Sequence, residues 1–320
     1  MYLLGFDIGG TKCAVITARY ENEELTLLKR ESIPTDRSVS PYVMIDRLIE
    51  LADGILEERP CAIGISCGNP LDTKRGLILS PPNLPGWDNV EIVKILEEHY
   101  GAHAYLQNDA DACAIAEWRF GAGKGTQNMI FITFGTGFGA GLILGGRLYS
   151  GTNGNAGEAG HFRLADVGPV GYGKAGSLEG FCSGGGIAQL AYMKALEYVQ
   201  VGNYPSFFKK GMTVADITAK DVAIAAREGD ECAKEVYRIS GEYLGRGLSL
   251  MIDLLNPERI VIGSIFARSR DLLWDSADAR IKREVLTPSY DCCEVVGAEL
   301  GEKIGDYGAI TVALYGEGIF

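Results

Sequence analysis

Twice along this chain an apolar run meets glycines and sets off again as a second strand. The first is Tyr2–Phe6, the turn Asp7-Ile-Gly-Gly-Thr-Lys12, and Cys13–Ala18. The second is Met129–Phe134, continuing through Gly135, Gly137, Gly139 and Gly141. After each opening the chain alternates between strand-like and helix-like segments. Repetition of one strand–turn–strand start predicts two similar α/β domains facing each other across a cleft. At 320 residues the chain is long enough to bury a substantial core. The predicted division is an N-terminal domain over 1–118, rejoined by the final helix 306–320, and a larger domain over 119–305. Gly121–Gly125 reads as the crossover.

In the first region Leu25–Ile33 reads as a third strand. Pro41 opens a helix in which Met44, Leu48, Leu51, Ala52 and Ile55 recur at helical spacing. Ala62–Ser66 is a strand leading into the turn Cys67-Gly68-Asn69-Pro70. Ser80–Trp87 is a proline-stiffened loop, with Asn83 and Trp87 as candidate pocket residues. Val90–Tyr100 reads as helix, Ala104–Leu106 as strand and Ala112–Phe120 as helix. In the second region Ser183 caps a helix over Ile187–Tyr198. Helices over Ala215–Arg227 and Asp230–Leu255 follow, then a strand over Arg259–Ile262. A short helix at Ile281–Glu284, a strand at Cys293–Gly297 and a helix over Gly305–Tyr315 complete the chain.

The chemistry-bearing residues gather at the ends of these elements. Alternate residues of an extended strand share one face, so Gly135 to Gly141 would leave one face bare and its amides open to phosphate. A bare face also suits close packing against a neighbour. The loop Gly151–His161 follows at once and ends in Glu158 and His161, which favours a site where phosphate and substrate meet. In the first turn Gly9, Gly10 and Thr11 can present amides and a hydroxyl to phosphate, while Asp7 faces a hydrated cation. A plain glycine hairpin is the commoner meaning of that pattern. The P-loop spacing G-x-x-x-x-G-K-[ST] is absent. Asp109 stands where a strand ends and a helix begins, so it reads as a helix cap or as a general base accepting a proton from a hydroxyl.

A net charge of −12 argues against a general nucleic-acid or anionic-membrane partner. The chain opens on a strand, with no basic leader and no apolar run of membrane-spanning length, which predicts a cytoplasmic protein. Its eight cysteines form no C-x-x-C pair and read as reduced, mostly buried thiols.

Taken in order, Asp7-Ile-Gly-Gly-Thr-Lys12, Asn108-Asp109-Ala110, Gly135-Thr-Gly137 and Gly157-Glu-Ala-Gly-His161 strongly resemble the ROK family. Ser80–Trp87 resembles its sugar-side loop, and Ser177-Leu-Glu179 falls where the family usually has Cys-x-Glu. The resemblance covers essentially the whole chain. It implies an actin/hexokinase-like fold of two ribonuclease-H-like domains and ATP-dependent phosphorylation of a hexose or N-acetylhexosamine hydroxyl, with O6 the expected acceptor. Asp109 would be the base. Asn108, Glu158, His161 and Glu179 would hold sugar hydroxyls, with Gly68 and Asn83 nearby. Gly9, Gly10, Thr11 and Lys12 together with Gly135, Thr136 and Gly137 would embrace the ATP phosphates and Mg²⁺, with Asp7 near the metal. Gly263 would lie beside adenine, and a homodimer is implied.

Two places depart from the family. Its zinc motif, C-x-C-G-x-x-G-C-x-E, appears as Val170-Gly-Tyr172-Gly-Lys-Ala-Gly-Ser177-Leu-Glu179, so zinc is not expected and Tyr172 is expected to fill the metal's volume. Gly263-Ser264 stands where the family has Gly-Gly. A regulator of the family would carry a DNA-binding domain ahead of the first turn, and Asp7 leaves no room for one. A non-catalytic sugar sensor is the alternative to a kinase, and Asp109 argues against it.

Overall fold

The computed structural model describes residues 1–320. The first strands form an antiparallel meander because tight turns join them: β1 (Tyr2–Ile8), β2 (Lys12–Glu21) and β3 (Glu24–Pro34). Helix α1 (Pro41–Ile55) starts where Ser40 accepts a bond from the Val43 amide and Pro41 supplies a preset φ. It buries Met44, Ile45, Leu48, Ile49, Ala52 and Ile55. Strand β4 (Ala62–Cys67) returns parallel to β1. A small sheet of β5 (Leu71–Asp72), β6 (Leu77–Leu79) and β7 (Asp88–Val90) carries the proline loop. Trp87 is buried in the core there. Helix α2 (Ile92–Tyr100) begins two residues later than its sequence signature, since Val90 belongs to β7. Then come β8 (His103–Asn108), parallel to β4, and α3 (Asp109–Phe120).

The main sheet has the order β3-β2-β1-β4-β8. Its register pairs Ile8 with Cys67 and Cys67 with Asn108, so three parallel strands end in one row. The carboxyl ends of parallel strands are where α/β sheets bind ligands. Leu4, Phe6 and Ile8 point into one core with α1 and α2, while Leu3 points to the other side.

The second sheet sets β10 (Phe138–Ile143), β9 (Met129–Phe134), β13 (Arg259–Ile262) and β14 (Glu294–Gly297) side by side in that order. Gly135–Gly137 do not continue the strand. They form a turn closed by the Gly135 amide on the Gly137 carbonyl at 3.0 Å, and the strand resumes at Phe138. The expected bare strand face over Gly135–Gly141 therefore does not exist. A one-turn 3₁₀ helix covers Ala159–His161. Hairpin strands β11 (Val170–Gly171) and β12 (Lys174–Ala175) follow, then α4 (Leu178–Phe181) and α5 (Gly184–Gln200), capped by Ser183. Next are α6 (Ala219–Arg227) and α7 (Glu231–Leu255), capped by Asp230. Strand β13 (Arg259–Ile262) pairs parallel with β9 and with the later β14.

Helix α8 (Ile265–Glu284) is five times the length expected from sequence. Only Phe266, Leu273, Ala277 and Ile281 are apolar and buried among many charges, so its periodicity is thin. After α9 (Thr287–Cys292) and β14 (Glu294–Gly297), helix α10 (Ile304–Gly316) returns to the first sheet. It packs Ala309, Ile310, Ala313 and Leu314 against Leu3, Ala14 and Ala62.

These elements fall into two units. One comprises Met1–Gly125, Gly141–Ala156 and Glu299–Phe320, and the other Thr126–Ala140 and Gly157–Ala298. Gly141–Ala156 lies in the first unit, whereas the sequence reading runs its second domain unbroken over 119–305. All eight cysteines are free thiols, and no helix is long and apolar enough to cross a membrane.

Candidate active site

In the first unit the candidate residues follow from the strand register. Asp7 is the last-but-one residue of β1, Gly68 follows β4, and Asn108 ends β8, so all three sit along one edge of the sheet. Asn108 is the cap of α3: its Oδ1 accepts the amides of Ala110 at 3.0 Å and Asp111 at 3.3 Å. The cap reading therefore belongs to Asn108. Asp109 is the first helical residue, exposed, with its Oδ1 on the Ala110 amide at 2.8 Å. It thus stands at the helix N-terminus, directly after the Asn108 cap.

Asp7 is electrostatically crowded. Burial, then the carboxylates of Asp109 and Asp306, push its pKa from 3.8 up to about 6, against Arg30 and Lys12. Asp306 is buried in the first turn of α10 and accepts from Arg30 Nε at 2.9 Å. Sequence reasoning missed both partners, because Arg30 lies mid-strand and Asp306 resembles an ordinary acidic residue in a helix's first turn. No three His, Cys, Asp or Glu side chains converge here to hold a metal by themselves, and Asp7 is the carboxylate whose crowding a nearby cation would relieve.

The turn Gly9–Lys12 is pinned from outside. Thr35 Oγ1 donates to the Gly9 carbonyl at 2.6 Å and Arg37 Nη2 to the Gly10 carbonyl at 2.8 Å. Arg37 is a third residue the sequence did not flag, an exposed guanidinium beside the expected phosphate turn. Gly10 presses on the proline loop: a methyl group there would lie 2.5 Å from Asn83 Cβ and 2.6 Å from its carbonyl oxygen. That contact alone requires glycine, and it brings Asn83 to the turn. Thr11 and Lys12 are exposed, and the space around Gly68 is open.

In the second unit the turn Gly135-Thr136-Gly137 meets three other places in the chain. The amide of Gly184, opening α5, donates to the Gly135 carbonyl at 2.8 Å. A methyl on Gly135 would come 3.5 Å from Ser264 Oγ. Glu179, in α4, accepts the Phe138 amide at 3.0 Å, and a methyl on Gly137 would lie 3.0 Å from the same carboxylate oxygen. One expected sugar ligand is thus tied to the expected phosphate turn. Gly263 is buried beside the Phe131 ring. Glu158 is exposed at the start of the 3₁₀ turn that ends in His161.

The segment Val170–Ser177, which stands where the family resemblance implies a zinc motif, is held by the chain itself. Ser177 caps α4 by accepting the Gly180 amide at 3.1 Å, and the Leu164 and Ala165 amides bond the Gly176 carbonyl. Val170, Tyr172 and Ser177 offer no thiolate, and no three His, Cys, Asp or Glu side chains converge. This donor set does not fit a four-coordinate zinc. Tyr172 does not fill a metal's volume either: it is 67% exposed, with its ring near-perpendicular to that of His161.

Residues 3–315 match the ROK family. The chain belongs to that family. The glucokinase of Streptomyces coelicolor is 31% identical over 313 residues, spanning 97% of this chain and 96% of that protein. The ROK hexokinase of Thermus thermophilus superposes with a TM-score of 0.81 at 27% identity, covering all of both chains. A ROK glucokinase from Streptomyces griseus, solved with glucose and AMPPNP, gives a TM-score of 0.78 at 29% identity over 98% of this chain and all of that one. The fold is thus the two-domain actin/hexokinase type of ROK hexokinases.

Proposed function

We propose that this ROK protein transfers the γ-phosphoryl group of ATP to a hydroxyl, O6 by preference, of a hexose or N-acetylhexosamine. The observation that carries this is Asp109, an exposed carboxylate at the first position of a helix, at the carboxyl end of the sheet's parallel strands. Asp109 accepts the proton of the attacking hydroxyl, and Asn108, its Oδ1 committed to the cap, keeps its Nδ2 to donate to a sugar oxygen. Gly68 and Asn83 border that edge. Glu158, His161 and Glu179 read further hydroxyls.

Gly9, Gly10, Thr11 and Lys12, with Gly135, Thr136 and Gly137, bind the phosphates, and Gly263 flanks the adenine. Mg²⁺, when bound with ATP near Asp7, neutralises charge on the transferring phosphoryl group. Phosphoryl transfer asks the protein for positioning and electrostatics, which these residues supply. The two units serve as the two domains read from sequence, with Gly141–Ala156 reassigned to the first. On the family resemblance we also place the enzyme in the cytoplasm as a homodimer, a pairing that sedimentation equilibrium reads directly. It works without structural zinc.

One experiment tests the whole reading: ATP consumption over a panel of hexoses and N-acetylhexosamines, with excess Mg²⁺ and a zinc chelator. At least one sugar should be phosphorylated. Asp109→Asn should lower kcat by about 10²–10⁴-fold while sugar binding survives. Turnover at the parent rate in Asp109→Asn reduces the residue to an element of helix structure. Sugar binding with no ATP consumption in the wild type replaces the kinase with a sensor.

A further inference from the structure

The β11–β12 hairpin reaches two of the side chains assigned to the sugar. Val170 pairs with Ala175 and Gly171 with Lys174, leaving Tyr172 and Gly173 as a two-residue turn. Both have left-handed φ, +43° and +75°. Such a turn favours Asn, Asp or Gly at its first position, and a bulky aromatic there is strained. Burial gives nothing back, because the side chain is mostly exposed. Strain of this kind persists where the surroundings fix it, and it clusters at functional sites.

The turn delivers the ring to one place. The Tyr172 and His161 ring centroids are 5.3 Å apart with an interplanar angle of 77°. The hairpin holds the backbone of the same histidine too, since Lys174 Nζ donates to the His161 carbonyl at 2.8 Å. On its other side, Gly171 is pressed on Glu179, where a methyl group would lie 2.7 Å from Glu179 Cβ. The hairpin is itself anchored, with Gln189 of α5 bonding both the amide and the carbonyl of Val170 at 2.9 Å.

We propose that Tyr172 is a positioning residue for sugar recognition. Its ring, presented by a strained turn, holds the His161 imidazole in one orientation so that a ring nitrogen meets a hydroxyl of the acceptor. An imidazole on an open 3₁₀ turn otherwise samples a broad χ2 range and flips. Preset orientation strengthens binding because less freedom is lost when the sugar arrives. This inference rests on the reading of His161 as a sugar ligand.

The strain supplies the test. Tyr172→Asn and Tyr172→Gly suit the turn, so each should leave Tm unchanged or raised. Each should nevertheless raise the sugar KM about tenfold, the worth of one well-placed hydrogen bond, with the ATP KM unchanged. Tyr172→Phe keeps the ring and should keep the sugar KM. A role confined to stability would move Tm and both KM values together.

The chain has three histidines, so the His161 ring signals in ¹H–¹⁵N spectra are assigned by His99→Gln and His103→Gln. In Tyr172→Asn those signals should shift and broaden. An active wild type whose Tyr172→Asn variant keeps the parent sugar KM overturns the proposal. A wild type that phosphorylates no sugar defeats the kinase reading instead. The ring signals then decide the positioning claim, and their identity in wild type and Tyr172→Asn would sink it.

Discussion

At the scale of single residues, Asp7 offers the sharpest test of the site's electrostatics. Its folded pKa of about 6 lies above the ordinary 3.8, first through burial and then through Asp109 and Asp306. Folding therefore favours the protonated form. The stability this gives is complete below about pH 4 and is lost as pH rises through about 6. A shift of this size corresponds to about 1–3 kcal/mol. Asp7→Asn should accordingly raise Tm at neutral pH without nucleotide, converge on the parent near pH 4, and lose Mg²⁺-dependent turnover. Thermal melts across that range check it, and a variant no more stable than the parent at neutral pH removes the crowding. The element ends that carry Asp7, Asp109 and the paired glycines were legible in sequence because each lies in a short motif. The cause behind a glycine was not. Gly10 answers to the Asn83 backbone, seventy-three residues away, and Gly137 to the Glu179 carboxylate. Such distant contacts leave no local periodicity to read.

At the scale of elements, the longer strands and most helices were legible, with Pro41, Ser183 and Asp230 read at or beside the starts of α1, α5 and α7. Helix α8 was not, because four buried apolar residues among charges give too weak a stripe. Its junction with β13 carries a second strained residue. Ser264 has φ +55° and ψ −115°, a region that glycine occupies and a side chain resists. The exposed side chain contributes no buried area to offset this. Ser264→Gly should therefore stabilise the second unit by about 1 kcal/mol, within the range for relieving such a conformation. Urea unfolding followed by tryptophan fluorescence of Trp274, on α8, measures it. A lower midpoint in Ser264→Gly would show that the serine conformation is unstrained.

At the scale of the whole molecule, the chain passes between its two units after Gly125, Ala140, Ala156 and Ala298. Glu117 holds the approaches to the first and last of these. Its side chain is fully buried in α3. One oxygen accepts the Leu300 amide at 2.9 Å, and the other accepts Ala122 at 2.8 Å and Glu299 at 3.2 Å. The Glu117 carbonyl adds the amides of Gly121 and Gly123 at 3.1 and 2.9 Å. A buried carboxylate is tolerated because donors converge on it, so replacing one oxygen by an NH₂ group sets a donor against a donor. Glu117→Gln should cost about 2–4 kcal/mol in stability. It should also release both chain segments together, because one carboxylate serves both. Hydrogen exchange then reads the outcome: the Ala122, Glu299 and Leu300 amides should lose protection in step, ahead of the β1 amides that share only the global unfolding. If Ala122 loosens while Glu299 and Leu300 keep parent protection, the two crossings are held independently and Glu117 joins nothing.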